Sequence, residues 1–275
     1  MLREETLKLM EKHNITLDPS LDEQQLVDPG VIERLIMSAD VNPNDTALDI
    51  GAGLGNITVP LAGSARRVYA VERDPKFLPA LRERTAGLGN VVIVHGDALR
   101  IGLPPFTKIA SNFPYAICEA LIQRLTATWF EKASLIIPRS LALKLTARPS
   151  DEICSKLTLV AGAFFEISIV QDVGPEAYLP PPGTATRIVT LRPRESAGRG
   201  EEVLRKVLLQ GDKKLKNALR EAIIQSSEAY WGPPTKRGAR ALIEEMGLDG
   251  SLQERPVARL SLEDLRALAT RLSSL

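Results

Sequence analysis

The stretch "DIGAGLGN", residues 49–56, places Gly51, Gly53 and Gly55 directly after an apolar run, with the acid Asp49 at its start. Alternating glycines let a backbone turn tightly and bring a ligand close to the N-terminus of the next helix, where a Cβ would block the approach. The same pattern also serves as a plain structural turn, so two later acids matter. Glu72 closes "RRVYAVE", 21 residues after Gly51, where a carboxylate can accept both hydroxyls of a ribose. Asp97 follows "NVVIVHG", where it can meet an adenine amino group; alone it reads equally well as a helix N-cap. Together these features outline an adenosine site. The spacing is G-x-G-x-G followed by Asn56, without the third glycine of the dinucleotide fingerprint, so no pyrophosphate cradle is evident. An acid at position 49 can face a cation, which favours the sulfonium and ammonium of S-adenosylmethionine over a phosphate-bearing cofactor. A second unusual stretch is "IASNFPY", residues 109–115. Its proline has no N–H for a sheet and forces the preceding residue to be extended, so a strand ends there in a turn that presents Asn112 to Tyr115.

These residues need a scaffold that brings several loops to one edge. Between Thr46 and Thr190, "TALDIG", "RRVYAVE", "NVVIVHG", "TKIASN", "ASLIIP", "AFFEISIV" and "TRIVTLRP" alternate with segments of helical period. Such alternation predicts an α/β fold, a doubly wound, mostly parallel sheet of seven strands whose ligands lie at the carboxyl ends. The connection "QDVGPEAYLPPPGTA" has no helical pattern, which predicts an antiparallel, hairpin-like ending to the sheet. After "LRPRESAGRGE" apolar residues recur at spacings of three and four, predicting a small all-α domain behind a Ser-Ala-Gly-Arg-Gly linker. Upstream, "TLKLMEKHNI" reads as a helix and "DPSLDEQQLVD" as an irregular approach to the helix of "PGVIERLIMSA". The expected organisation is an N-terminal helical extension over 1–28, the sheet domain over 29–195 and the helical domain over 196–275.

The composition excludes other classes. The chain has 275 residues, 44% hydrophobic and 25% charged, enough for a substantial core. No run reaches the roughly 18 consecutive apolar residues of a membrane span, and the N-terminus alternates charge too often for a secretory signal, so a cytoplasmic protein with no membrane partner is expected. Cys118 and Cys154 lie too far apart for a C-x-x-C unit, and His13 and His95 have no obvious ligand partners, so no metal is expected. Formal charge is +4 from Arg192 onward and −3 before it, a mild asymmetry that permits an anionic partner for the helical part.

"ADVNPNDTALDIGAGLGNITVPLA", "VYAVERD", "NVVIVHGDAL" and "SNFPYAI" follow one family's order and spacing. The chain resembles the ribosomal small-subunit RNA adenine dimethyltransferases, with their erythromycin-resistance and mitochondrial-transcription-factor relatives, from about residue 24 to the C-terminus. The resemblance implies a Rossmann-like methyltransferase fold, S-adenosylmethionine as donor, dimethylation of adenine exocyclic amines, and small-subunit ribosomal RNA or a pre-assembled small subunit as partner, with the protein a monomer. It implies a donor site of Gln25, Leu26, Asp49, Gly51, Gly53, Gly55, Glu72, Arg73, Asp97, Ala98 and Asn112. In the family an Asn-Leu-Pro-Tyr motif holds the amine. Here Asn112, Phe113, Pro114 and Tyr115 stand in its place, with the Asn112 side-chain oxygen and the Phe113 carbonyl as acceptors and Pro114 holding them rigid. Tyr115 and Tyr178, the latter in "AYLPPP", would stack on a flipped-out base.

Several positions depart from the family pattern. The Gly-Gln-x-Phe-Leu-x-Asp opening motif reads "DEQQLVD", and a Gln-Glu pair after the fifth strand is replaced by Pro138 and Ser140. A Tyr-Gly-Arg-Leu stretch reads Cys154, Ser155, Lys156, Leu157, and Phe-x-x-Arg-Arg-Lys becomes "LLQGDKKLKNAL", keeping Lys213 and Asn217 but losing the paired arginines. "DKKLK" and "PTKRGAR" remain as basic runs, either RNA-facing or merely solvated. The departures keep two other readings open: a diverged methyltransferase acting on another RNA, a protein or a small-molecule amine, and a non-catalytic RNA-binding assembly or transcription factor.

Overall fold

The computed structural model describes residues 1–18, 22–148, 150–195, 198–230 and 235–273. Pro19 to Leu21 of the approach segment, Ser196 and Ala197 of the expected linker and Pro234 of "PTKRGAR" lie outside the described residues. The chain begins with α1 (Leu2–Lys12) and the two-residue strand β1 (Gln25–Leu26), followed by α2 (Pro29–Ser38). Asp28 starts α2 by accepting the N–H groups of Gly30 and Val31 at 2.8 and 3.1 Å, and Pro29 occupies the first turn, where its missing N–H costs nothing.

The sheet then builds as β2 (Thr46–Ile50), α3 (Thr58–Ala62), β3 (Arg67–Glu72), α4 (Leu78–Thr85), β4 (Val91–His95), β5 (Lys108–Asn112), α5 (Cys118–Leu125) and β6 (Lys132–Pro138). After α6 (Arg139–Leu145) and α7 (Lys156–Phe164) come β7 (Phe165–Val173), the short β8 (Tyr178–Leu179) and β9 (Thr186–Pro193). The strand order is β4-β3-β2-β5-β6-β9-β7. β2 pairs in parallel with both β3 and β5, and β5 with β6. β9 runs antiparallel to β6, from Ala133 opposite Leu191 to Pro138 opposite Thr186. Between β2 and β5 the chain reverses its direction of travel across the sheet, the switch point where parallel sheets open a ligand crevice. Leu48, Val68, Ile109, Ala110, Leu135 and Ile188 are fully buried, so the strands that carry the site loops are anchored in the core.

β1 pairs antiparallel with β8, Gln25 opposite Leu179 and Leu26 opposite Tyr178. The approach segment is therefore not wholly irregular. Two residues are too few to show a period, so this pairing leaves no pattern in the sequence.

Packing divides the chain into two compact units, residues 1–146 with 166–193, and 147–165 with 194–275. These limits differ from boundaries drawn along the chain. The first 28 residues join the sheet unit because Leu9, Met10 and Ile15 pack with Leu54 and Phe77. α7 joins the helices because Leu159 packs with their core. Ser155, one of the residues that departs from the family pattern, caps α7 by accepting the Thr158 N–H at 3.2 Å. The second unit adds α8 (Arg199–Leu208), α9 (Leu215–Tyr230), α10 (Lys236–Glu245), α11 (Gly250–Glu254) and α12 (Leu262–Ser273) around Val203, Val207, Leu219, Leu265 and Leu268. No helix among the described residues is long and apolar enough to cross a membrane.

Candidate active site

β2 ends in the glycine loop. Gly51 has φ +77° and Gly53 has φ +53°, backbone that L side chains rarely adopt. An added Cβ would also meet close neighbours. A Cβ on Gly53 would stand 2.6 Å from Gln25 Oε1, and one on Gly51 would stand 3.0 Å from Pro114 Cγ. The loop thus has Gln25 of β1 on one side and the proline of the presented turn on the other. Gly51 and Ala52 donate to the Val71 carbonyl at 2.8 and 3.1 Å, and Leu54 donates to Gln25 Oε1 at 3.1 Å.

Glu72, at the end of β3, is buried and holds two loops at once. Its Oε2 accepts the Gly53 N–H at 2.8 Å and its Oε1 accepts the Asp74 N–H at 2.7 Å. Burial raises its carboxyl above the ordinary range, and the backbone hydrogen bonds oppose the shift. Each oxygen keeps a second lone pair for a ligand hydroxyl. Asp97 accepts the Leu99 N–H at 2.9 Å and also borders the cavity, so its capping and ligand-facing readings both fit. Ser111, which sequence reasoning passed over inside an apolar strand, locks the ends of β5 and β2. Its hydroxyl donates to the Ile50 carbonyl at 2.6 Å and accepts the Ile50 N–H at 3.1 Å.

These elements enclose a cavity bordered by Gln25, Leu26, Gly51, Gly53, Glu72, Arg73, Asp97, Ala98, Asn112 and Pro114. Its volume is about 160 Å³, below the roughly 300–1,000 Å³ of closed small-molecule sites, which leaves part of a nucleoside-sized ligand in the open mouth. Asp22, Glu23 and Asp74 border it too, residues that sequence reasoning missed. Against these carboxylates and those of Glu72 and Asp97, the lining holds the guanidinium of Arg73. Lys76 pairs with Glu23 and Asp74, and Arg100 with Asp97, which leaves Asp22 and Glu72 as the lining carboxylates without an ion pair among the described residues, a surplus that suits a cationic ligand.

The turn after β5 closes one end. Asn112 borders the cavity, and its Oδ1 is buried with no hydrogen-bond partner among the described residues. A buried amide oxygen without a partner is costly in a folded protein, and this one stands where a donor placed in the cavity could satisfy it. Phe113 is fully buried, and its N–H donates to the Ile136 carbonyl at 3.2 Å, pinning the turn to β6. The Cys118 thiol lies 3.5 Å from the Pro114 carbonyl and 3.8 Å from that of Phe113. Burial pushes the thiol up, so it stays protonated as a weak donor.

Residues 15–230 match the model of the family described as ribosomal RNA adenine dimethylase. A protein of Thermococcus kodakarensis named "Probable ribosomal RNA small subunit methyltransferase A" is 36% identical over 193 residues, covering 70% of this chain and 69% of that one. Its namesake in Methanosphaera stadtmanae is 31% identical over 219 residues, covering 78% and 81%. The chain belongs to the ribosomal RNA adenine dimethylase family. Among solved structures, the 23S rRNA methyltransferase ErmE superposes with a TM-score of 0.59 at 26% identity, covering 90% of this chain and 99% of that one. A dimethyladenosine transferase from Plasmodium falciparum shares the fold with a TM-score of 0.60 at 24% identity over 88% and 94%.

Five residues given roles by the family pattern stand outside the cavity: Asp49, Gly55, Phe113, Tyr115 and Tyr178. Asp49 does not face the cavity as expected. It is buried within β2, accepts the Thr58 hydroxyl at 2.7 Å and lies beside the Ser111 hydroxyl. Burial pushes this carboxyl up to about 7, with the Thr58 bond opposing and the charge of Glu72 adding. Gly55 takes φ +81°, so it serves the tight turn, and a Cβ there would stand 3.0 Å from Leu81 Cδ1, away from the cavity. Tyr178 does not present a stacking face. Its ring is fully buried in the core beside β1, and its hydroxyl hydrogen-bonds to Thr186 Oγ1 at 2.7 Å. Tyr115 is half-buried, and its buried phenol oxygen faces the Tyr178 hydroxyl. That leaves Tyr115 as the aromatic of the turn with an accessible edge.

Proposed function

We propose that this protein transfers methyl groups from S-adenosylmethionine to the exocyclic amine of adenine in small-subunit ribosomal RNA. One observation carries the reading: the buried, unpartnered Oδ1 of Asn112 stands at the border between the glycine-loop cavity and the presented turn. The names of the small-subunit relatives support the acceptor class.

The residues fit the donor. Gln25 and Leu26 with Gly51 and Gly53 form a cradle that a Cβ would fill, Glu72 offers lone pairs to the ribose, and Asp97 with Ala98 lies at the adenine end. S-adenosylmethionine supplies a methyl group activated by its sulfonium. The protein's own task is to prepare the nucleophile. The lone pair of an adenine amine is delocalised into the ring. Accepting its hydrogens at Asn112 Oδ1 and the Phe113 carbonyl turns that lone pair toward the cavity, while Tyr115 supports the base. Alignment replaces covalent catalysis, and no strong base is needed.

In the helical unit, Lys213 pairs with Glu221, and Lys214 and Lys216 pair with Glu254, Lys214 at 2.9 Å. The basic run "DKKLK" is thus largely neutralised on the protein. Lys236, Arg237 and Arg240 are exposed on α10 with no ion pair among the described residues, and we assign phosphate contact to them.

The test is transfer of radiolabelled methyl to small subunits lacking the modification, with naked RNA and cell-extract protein alongside. Label recovered as dimethyladenosine in subunit RNA supports the reading. Label in protein or another RNA alone replaces it with the diverged-enzyme reading, and absence of both label and donor binding replaces it with the scaffold reading.

A further inference from the structure

The segment just before α2 departs from the family pattern, and it is also where the cavity's walls are joined. Asp22, standing where the family's opening motif has glycine, keeps a left-handed backbone with φ +59°. An aspartate tolerates that conformation better than most residues, but glycine would adopt it freely. What the aspartate adds is its carboxylate. Asp22 Oδ2 accepts the Ala116 N–H at 2.7 Å, across 94 residues of sequence.

Ala116 belongs to the single 3-10 turn Tyr115–Ile117 that follows Asn112 and precedes α5. Its N–H lies at the start of that turn, before any intrahelical acceptor is available, so Asp22 supplies the partner the turn lacks. The same segment is fixed at two further points. Glu23 pairs with Lys76 beyond β3, and Gln25 Oε1 accepts the Leu54 N–H of the glycine loop at 3.1 Å. Asp22, Glu23, Gln25, Asn112, Pro114 and Ala116 all border one cavity. The segment is therefore a strap tied to three loops, and Asp22 is its tie to the loop that presents the amine acceptor.

From this we propose that Asp22 is a positioning residue for methyl transfer: its clasp on Ala116 holds the Asn112–Tyr115 turn in register with the donor cavity. The inference rests on the methyltransferase reading above. It assigns Asp22 no contact with the reacting atoms. The clasp needs an acceptor oxygen at this position and does not need the negative charge, which separates it from a purely electrostatic role.

The test compares Asp22→Asn, which keeps an acceptor oxygen and tolerates positive φ, with Asp22→Gly, which frees the backbone and removes the clasp. Amide hydrogen exchange is read in peptides spanning residues 113–118, and kcat and donor KM are read on small subunits. The expected result for Asp22→Gly is exchange at Ala116 at least tenfold faster, kcat at least tenfold lower, and an unchanged thermal midpoint. Asp22→Asn should recover most of both. The proposal is overturned if Asp22→Gly leaves exchange and kcat as in the wild type, if Asn and Gly lose activity equally, or if the loss follows a fall in thermal midpoint. Should the wild type itself transfer no methyl to subunits, the proposed function fails. The clasp is then decided by exchange at Ala116 alone, where protection equal in all three proteins overturns it.

Discussion

Gly51 lies against the ring of Pro114, so close that a Cβ on the glycine would stand 3.0 Å from Pro114 Cγ. The donor loop and the acceptor turn thus share a wall where a Cβ fits only if the Pro114 ring gives by a few tenths of an ångström. Gly51→Ala combines that clash with a residue forced to φ +77°, a conformational penalty of about 1–2 kcal/mol. S-adenosylmethionine affinity measured by calorimetry should fall about tenfold or more. An alanine variant that binds the donor like the wild type would show the wall to be irrelevant.

The two tyrosines should separate cleanly. Tyr178→Phe removes the buried hydrogen bond to Thr186 and the hydroxyl that faces Tyr115 but keeps the ring, and should lower stability by about 1 kcal/mol with a far smaller change in transfer rate than loss of the Tyr115 ring. Tyr115→Ala should leave the fold intact and lower the rate about 10–100-fold, because stacking on the base is worth about 1–3 kcal/mol. Denaturation midpoints and single-turnover rates on both variants decide it; the opposite pattern would restore Tyr178 as the stacking residue.

Asp49 makes stability depend on pH. Its folded carboxyl is pushed up to about 7, above its unfolded value, so the native state binds the extra proton between the two values. Stability from this group is therefore greatest below the unfolded pKa and declines as pH rises toward 7. Asp49→Asn mimics the protonated form. It should unfold at a higher temperature than the wild type at pH 7.5, with the difference vanishing near pH 4. A variant less stable at every pH would contradict this.

The cation assignment predicts a contrast within one domain. Reversing Lys236, Arg237 and Arg240 to Glu should weaken RNA binding about tenfold or more and flatten its salt dependence. Lys214→Ala with Lys216→Ala should change affinity less than threefold, because both ammonium groups already face Glu254. Filter binding over a salt series measures both, and equal losses would return the contact to the lysine run.

Much of this was legible before the fold was known. The sheet strands are Val- and Ile-rich runs bounded by Gly, Asn or Pro, so their number and alternation with helices could be counted. Glu72, Asp97 and Asn112 were readable because each closes or directly follows such a run, and strand ends in this topology converge on one edge. Asp49 was not, because lying next to the glycines in sequence says nothing about which face of β2 its side chain takes, and that face leads to Thr58. Gly55 serves the tight turn as read, with φ +81°, but the space beside it is filled by Leu81 rather than by the cavity. Tyr178 carried a family role by resemblance of its motif, while its burial is set by β1, a strand too short to predict. Asp22 was invisible because its contact spans the chain and its departure from glycine looked like decay.

The central claim is that Asn112 Oδ1 waits for the acceptor amine. The decisive measurement is the single-turnover rate of methyl transfer to small subunits by Asn112→Ala against the wild type, with donor affinity measured on the same samples. Loss of one preorganised polar contact to a reacting group typically costs about 100- to 1,000-fold. The expected result is a fall of that size with donor affinity changed only severalfold. A variant that transfers methyl at the wild-type rate would contradict it.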